Sequence, residues 1–413
     1  MKDNNNKICS STVVVIGCNY SSNLCMARSL GQAGYSVEMV RVFQHKPKLM
    51  GLMRLLKPEA CSRYVTKYSE CFANGEPSRV AQFLMENAQD KKLVVPTDDY
   101  NAAAIDESYD MLKEKYIMPN VADTQGSLCS LMSKETQMQL ARRYGVETIS
   151  SCLVTAQDGV FELPQGINYP CFIKPDVSKN SSKSYMKKCD SKEELSAALT
   201  SFSKGKKIDM IVEDYLEIDR EYSLLGLCTK GKAVAPGLFV AQQGGSGDRR
   251  GITLVGKMVD TEPYRKEIEQ ILRFVEKLDF EGLFDVDLIG TKDGKLHFIE
   301  LNMRYGASGY AVTENGANLP GAFADYMLAG RQMPADLAVK TTGTTFVSEK
   351  VMVEEYIKGP LSAGKVKQLI AQADVHFIKN DRDTAPYRHF KKFFVPATAM
   401  KLAYTAKRTA KGS

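Results

Sequence analysis

The chain has 413 residues, 25% of them charged and 44% hydrophobic, with a net charge of +6. That length exceeds a single core, so two or three domains are expected, and the composition excludes a disordered or fibrous chain. No run approaches the roughly 20 apolar residues of a membrane span, and +6 over this length gives no reason to expect a nucleic-acid partner. Ten cysteines are scattered without a C-x-x-C pair or a histidine at zinc-ligand spacing. They read as free thiols of a reducing compartment. With the polar, non-signal-like opening MKDNNNKICSS, they make the cytoplasm the expected location.

In chain order, Thr12-Val-Val-Val-Ile-Gly17 predicts a buried strand, 23–33 a helix stopped by Gly34, and 35–42 a second strand. This βαβ opening predicts a parallel α/β sheet. Lys92–Thr97 predicts another buried strand, with Asp98 and Asp99 just past its C-terminal end, the edge where such sheets bind ligands. The Gly17 loop lacks a full G-x-G-x-x-G, which argues against a dinucleotide site.

From about residue 127 the texture changes. Ser133 caps a predicted helix that Gly145 ends. Tyr169-Pro-Cys-Phe-Ile-Lys-Pro175 predicts a short strand closed by a lysine. Ser191 and Glu194 stand at capping-box spacing before a helix to Phe202. Strands follow at 210–216 and 221–228, then a glycine-rich loop at 242–251 and a helix at 263–278. The segments 284–290 and 296–304 predict a hairpin around Asp293-Gly294, a favoured tight-turn pair. The last seventy residues predict a small βαβ unit, with strand 345–356, helix 362–373 and strand 375–378, before a tail with seven Lys/Arg and no acid after Asp383.

The hairpin carries the chemistry. Alternation places Phe298, Glu300, Asn302 and Arg304 on one face of their strand and His297, Ile299, Leu301 and Met303 on a core face. Asp285 and Asp287 share a face of the other strand. If the two polar faces coincide, Asp287 and Glu300 become neighbours, and like charges there are destabilising. A divalent cation removes the conflict, and a few oxygen ligands of this kind suit Mg²⁺ shared with phosphates. Arg304, further along the face, suits a phosphoryl group or developing oxyanion. A solvated hairpin face with a surface ion pair is the alternative.

FDVDLIG, a DG turn and HFIELNMRYG together resemble the metal-binding hairpin of the ATP-grasp superfamily. The resemblance implies an N-terminal Rossmann-like pre-ATP-grasp α/β domain (1–120), a two-lobed α+β ATP-grasp domain (121–340) and a small C-terminal α/β appendage with the basic tail (341–413). It implies that Asp287 and Glu300 hold Mg²⁺ (Mn²⁺ being the substitute) with Asn302 assisting, and that Arg304 is the catalytic arginine at an acyl-phosphate. It also places Lys134 and Lys174 against the ATP phosphates. Glu213 and the backbone near Tyr215 and Leu216 fall at the adenine edge, and Glu221 at the ribose or metal region. The loop after Lys174, Val177-Ser-Lys-Asn-Ser-Ser-Lys-Ser184, departs from the family in lacking glycine. Ser182 and Lys183 would replace the backbone donors there.

The function so implied is an ATP-dependent carboxylate–amine ligase working through an acyl-phosphate, with a small-molecule carboxylate and an amine as substrates and a homodimer as one assembly open to it. The glycine-free loop leaves a second reading, a catalytically inactive ATP-binding regulatory or assembly protein with the same fold. Asn19, Ser21 and Asp98 are either substrate contacts or helix caps, and Arg249 and Arg250 either a substrate clamp or a solvated loop. Glu314, Asn315 and Asn318 are further candidates for the pocket. The tail from Tyr387, which mixes aromatics with Arg388, Lys391 and Lys392, suits either an anionic membrane surface or, as the commoner case, a helix packed on the body.

Overall fold

The computed structural model describes residues 11–45, 55–177, 185–245, 252–334, 337–358, 360–394 and 396. Its first unit runs β1 (Thr12–Gly17), α1 (Tyr20–Gln32), β2 (Ser36–Phe43), β3 (Val65–Phe72), α2 (Ser78–Glu86), β4 (Lys92–Pro96), α3 (Asp99–Asp106) and β5 (Tyr116–Ile117). The strands form a parallel sheet in the order β3-β2-β1-β4-β5. Burial on both faces explains why β1 reads as an unbroken apolar run. The order reverses between β1 and β4, so the C-terminal ends of those strands make the switch-point edge. Gly17 is needed there for close approach: a Cβ would meet Thr97 Oγ1 at 2.0 Å and Asn23 Oδ1 at 2.2 Å.

The second unit contains β6 (Asn120–Val121), α4 (Lys134–Arg143), β7 (Ser151–Gln157), β8 (Val160–Phe161), β9 (Cys171–Pro175), β10 (Lys187–Cys189), α5 (Lys192–Ser203) and β11 (Lys207–Asp214). The antiparallel sheet β10-β9-β11-β7-β8 packs Val154, Ala156, Cys171, Ile173, Met210 and Val212 against Leu195 and Leu199 of α5. Alternation therefore turns Phe172, Lys174, Ile211 and Glu213 to the opposite face. Both predicted caps form: Ser133 accepts from Thr136 N and Ser191 from Glu194 N.

The third unit contains β12 (Ile218–Thr229), β13 (Lys232–Gly244), β14 (Thr253–Val259), α6 (Arg265–Glu276), β15 (Phe280–Thr291), β16 (Leu296–Asn302), α7 (Gly309–Glu314), α8 (Leu319–Ala329), β17 (Thr345–Val347), α9 (Glu349–Lys358), α10 (Ala363–Gln372), β18 (Val375–His376) and α11 (Ala385–His389). The eight-stranded sheet runs β16-β15-β12-β13-β14-β17-β18, with β6 on β15. One face packs Leu224, Leu238, Phe284 and Val286 against Met138 of α4 and Ile271 and Phe274 of α6. The other packs Leu225, Leu227, Phe239 and Phe346 against α1, α7 and α8.

The expected strand at 345–356 is corrected: only Thr345–Val347 is extended, and Glu349–Lys358 is helical. Its buried residues Val351, Met352 and Glu355 fall at helical spacing, which the β-branched content of the segment masked. The described part of the basic tail packs on the body, with Phe390 and Phe394 buried. Met400, Lys401, Leu402 and Tyr404 lie outside the described residues. No helix among the described residues is long and apolar enough to cross a membrane.

Candidate active site

The β15–β16 hairpin sets Asp285 opposite Asn302, Val286 opposite Leu301 and Asp287 opposite Glu300. Val286 and Leu301 enter the core, so the four polar side chains share the other face. One expectation fails. Leu288 pairs with Phe298 while Asp287 pairs with Glu300, leaving Ile299 as the extra residue of a bulge. The bulge resets the alternation, and Phe298 turns into the core, edge-on to Phe274 at 5.6 Å, instead of joining the polar face. Beyond the bridge of Phe298 with Thr148, Gln137 of α4 braces the outer edge of β16. Its amide donates to Leu301 O at 2.8 Å, and its oxygen accepts from Leu301 N at 2.7 Å.

Three carboxyl groups crowd this face. Burial first, then the charges of Asp285 and Glu300, push Asp287 up to about 8. Asn302 Nδ2 donates to Asp287 at 3.1 Å. Burial also raises Asp285, against the pull of Arg304 and a hydrogen bond from Ser223. Arg304 spans two acids, with Nε 3.1 Å from Asp99 and Nη1 3.3 Å from Asp285. Burial works against its charge, but Asp99 and Asp285 override that and hold it protonated. Among the described residues no three His, Cys, Asp or Glu side chains form a closed metal cage. Two opposed carboxylates with an unresolved charge conflict fit a divalent cation that takes its remaining ligands from phosphates and water.

The two lysines reach this region from different elements. Lys134, 2% exposed at the N-terminus of α4, lies 3.1 Å from Glu300 and 3.3 Å from the carbonyl of Asp176. Asp176, at the end of β9, also accepts from Ser133 Oγ and Glu135 N, tying the small sheet to α4. Lys174, next to last in β9, pairs with Glu213 of β11 at 2.7 Å, both buried. Tyr215 and Leu216 follow β11, where Tyr215 N donates to Pro170 O. Tyr215 and Glu221 are exposed. Ser182 and Lys183 lie outside the described residues, as do Arg249 and Arg250.

Next to the hairpin is a cavity of about 330 Å³ that brings Asp285, Asp287 and Glu221 together with Asn19 and Ser21 of the first unit and Lys350 and Glu354 of α9. Asp98 does not line it. Its carboxylate caps α3 and accepts from Cys18 N at 2.6 Å. The candidates after Gly309 are likewise structural: Glu314 pairs with Arg382, Asn315 bonds Thr341 and Thr344, and Asn318 caps α8. Sequence reading missed Asp176 and Gln137, whose partners are distant in the chain, and put Asp99 at the ligand-binding edge without its partner Arg304. It placed Asp285 on the right face without a role, and the acid-every-second-residue pattern was its only signal.

Known proteins share this fold. Residues 139–321 match the ATP-grasp domain family. Over 286 residues the chain is 24% identical to a formate-dependent phosphoribosylglycinamide formyltransferase of Ignicoccus hospitalis, covering 67% of this chain and 69% of that protein. An N5-carboxyaminoimidazole ribonucleotide synthetase solved with ADP superposes with a TM-score of 0.59 at 14% identity, over 81% of this chain and 80% of that one. A biotin carboxylase of Campylobacter jejuni in a β,γ-ATP complex gives 0.59 at 15%, over 80% and 74%. The segment that matches the ATP-grasp domain family, 139–321, contains Lys174, Glu213, Asp287, Glu300 and Arg304, and the superposed structures share the fold of the chain around it.

Proposed function

We propose that this protein is an ATP-dependent carboxylate–amine ligase that releases ADP and phosphate. The observation that carries the reading is the contact of Lys134 with Glu300, 3.1 Å apart, on a face that also holds Asp287, Asn302 and Arg304. A buried cation beside two carboxylates supports a phosphate and a metal bound together there. The superposed structures with ADP and with a β,γ-ATP compound support a nucleotide in this cleft. The formate dependence named for the Ignicoccus relative supports a carboxylate as one substrate. Nine cysteines among the described residues are free, which supports work in a reducing cytoplasm.

Lys174 and Lys134 hold the ATP phosphates. Glu213 and the backbone at Tyr215 and Leu216 take the adenine edge, and Glu221 the ribose side. Asp287 and Glu300, with Asn302, would hold Mg²⁺, which would supply charge neutralisation to the phosphates. The substrate carboxylate oxygen attacks the γ-phosphorus and ADP leaves. Arg304 stabilises the acyl-phosphate so formed. The amine nitrogen then bonds to the acyl carbon as the bond to phosphate breaks. The chain supplies positioning and charge, with no covalent intermediate of its own.

The test is Mg²⁺-dependent ADP release over a panel of acids with hydroxylamine present, which captures an acyl-phosphate as a hydroxamate. Glu300→Gln is expected to lower ADP release by more than about 100-fold with circular dichroism and melting cooperativity unchanged. ADP release at the wild-type rate in that variant would sink the metal assignment. ATP binding with no ADP release from any acid would favour a binding protein.

A further inference from the structure

The cavity beside the hairpin has a lining that says what it takes. Phe239, Phe346 and Phe377 form one aromatic wall, with ring centroids 5.1 Å apart for the first pair and 5.0 Å for the second. Among the described lining residues there is one cation, Lys350, against four acids, Glu221, Asp285, Asp287 and Glu354. A phosphate monoester is normally met by several Arg or Lys donors, and the described residues of this lining form no such cluster. Even with Asp287 neutralised by a metal and Asp285 by Arg304, Lys350 is matched by Glu354 one turn along α9.

The cavity also holds a place for a single carboxylate. The N-terminus of α1, a 13-residue helix, opens into it at Asn19 and Ser21. Ser21 is 4% exposed, and its hydroxyl has no hydrogen-bond partner. A buried hydroxyl left unpaired at a helix N-terminus is a donor waiting for an anion. Lys350, 5.5 Å from the ring of Tyr20 in the same first turn of α1, brings a positive charge to that end.

We infer that this cavity binds the amine-side substrate of the proposed ligase and that this substrate is an α-amino acid with an apolar side chain. Its carboxylate meets Ser21, the α1 N-terminus and Lys350. Its ammonium faces the acids of the hairpin, and its side chain lies on Phe239, Phe346 and Phe377. In the reaction its nitrogen forms the C–N bond as the acyl C–O bond breaks. One ammonium proton leaves with phosphate and the other goes to solvent. The inference rests on the ligase reading for its chemistry, but its binding claim stands separately. The pocket parts company here with the phosphoribosyl substrate named for the Ignicoccus relative. It also makes Ser348, Lys350, Val351 and Phe377, all from the last seventy residues, the specificity-determining wall.

The experiment is calorimetric titration of the full chain with L-leucine, L-phenylalanine, L-aspartate and ribose 5-phosphate, beside a titration with MgADP. L-leucine and L-phenylalanine are expected to bind at least tenfold more tightly than L-aspartate or ribose 5-phosphate. Ser21→Val and Lys350→Met should each weaken L-leucine binding at least tenfold while MgADP affinity is kept, which also shows that the variants fold. Tighter binding of ribose 5-phosphate, no binding of any amino acid, or L-leucine binding unmoved by both variants would overturn the inference. Amino-acid binding lost in the variants, combined with no ADP release from any acid, would uphold the pocket and sink the ligase reading instead.

Discussion

Arg304 and Asp285 show how much one residue's role depends on partners far along the chain. Read as a strand residue, Arg304 is a cation after a run of polar positions. In the fold its guanidinium spans Asp99, from the first unit, and Asp285, from the opposite strand. A lysine has one compact ammonium and cannot serve both acids in that geometry. Removing the arginine leaves Asp285, 7% exposed, as an uncompensated buried carboxylate, a loss of about 3–5 kcal/mol. Arg304→Met is therefore expected to unfold at markedly lower urea concentration. Adding Asp285→Asn should restore part of the loss, because the carboxylate that Arg304 compensated is then gone. A double-mutant cycle with no coupling between the two positions would contradict this account.

At the scale of elements, period-2 alternation was enough to place Asp285, Asp287, Glu300 and Asn302 on one face, because each strand has a single buried side. It failed at Phe298, because a bulge is an insertion into the register and leaves no mark in a run of strand-forming residues. The same limit hid the helix at Glu349–Lys358, where strand-forming side chains sit at helical spacing. Sequence also offered nothing for the edge of β16, where a side chain stands in for a neighbouring strand. Gln137 pairs both backbone groups of Leu301, and Leu301 is 2% exposed. Gln137→Ala strips partners from a buried N–H and a buried C=O at once, at about 1–3 kcal/mol each. The expected result is a loss of stability in urea unfolding together with faster amide exchange at Leu301 than at Val286, its partner inside the sheet. Unchanged exchange at Leu301 would mean that the edge holds without the brace.

Across the whole molecule, the last seventy residues are bonded into the first unit. Arg28, in the middle of α1 and fully buried, donates to Phe377 O at 3.0 Å, Ile378 O at 2.8 Å and the Asp383 carboxylate at 3.0 Å. Asp383 also accepts from Ser62 Oγ and Arg63 N. Glu349 completes the junction by accepting from Ile378 N at 3.1 Å and Lys379 N at 2.7 Å, with His376 Nδ1 3.6 Å away. Burial raises Glu349 to about 7, against the opposing pull of those two N–H groups and of Arg28. Between the ordinary carboxyl value of 4.5 and about 7 the folded chain keeps a proton that the unfolded chain has released, so stability falls as pH rises. The contribution is present in full below about 4.5, is gone above about 7, and amounts to about 3 kcal/mol. His376, whose protonation burial opposes, remains in a Glu349→Gln variant, so the difference between the two proteins isolates the carboxyl. Urea unfolding at pH 5 and pH 8 should show the wild type losing stability relative to Glu349→Gln across that interval. A difference that stays flat, or that grows in favour of the wild type, would mean that Glu349 is ionised in the fold and paired at this junction.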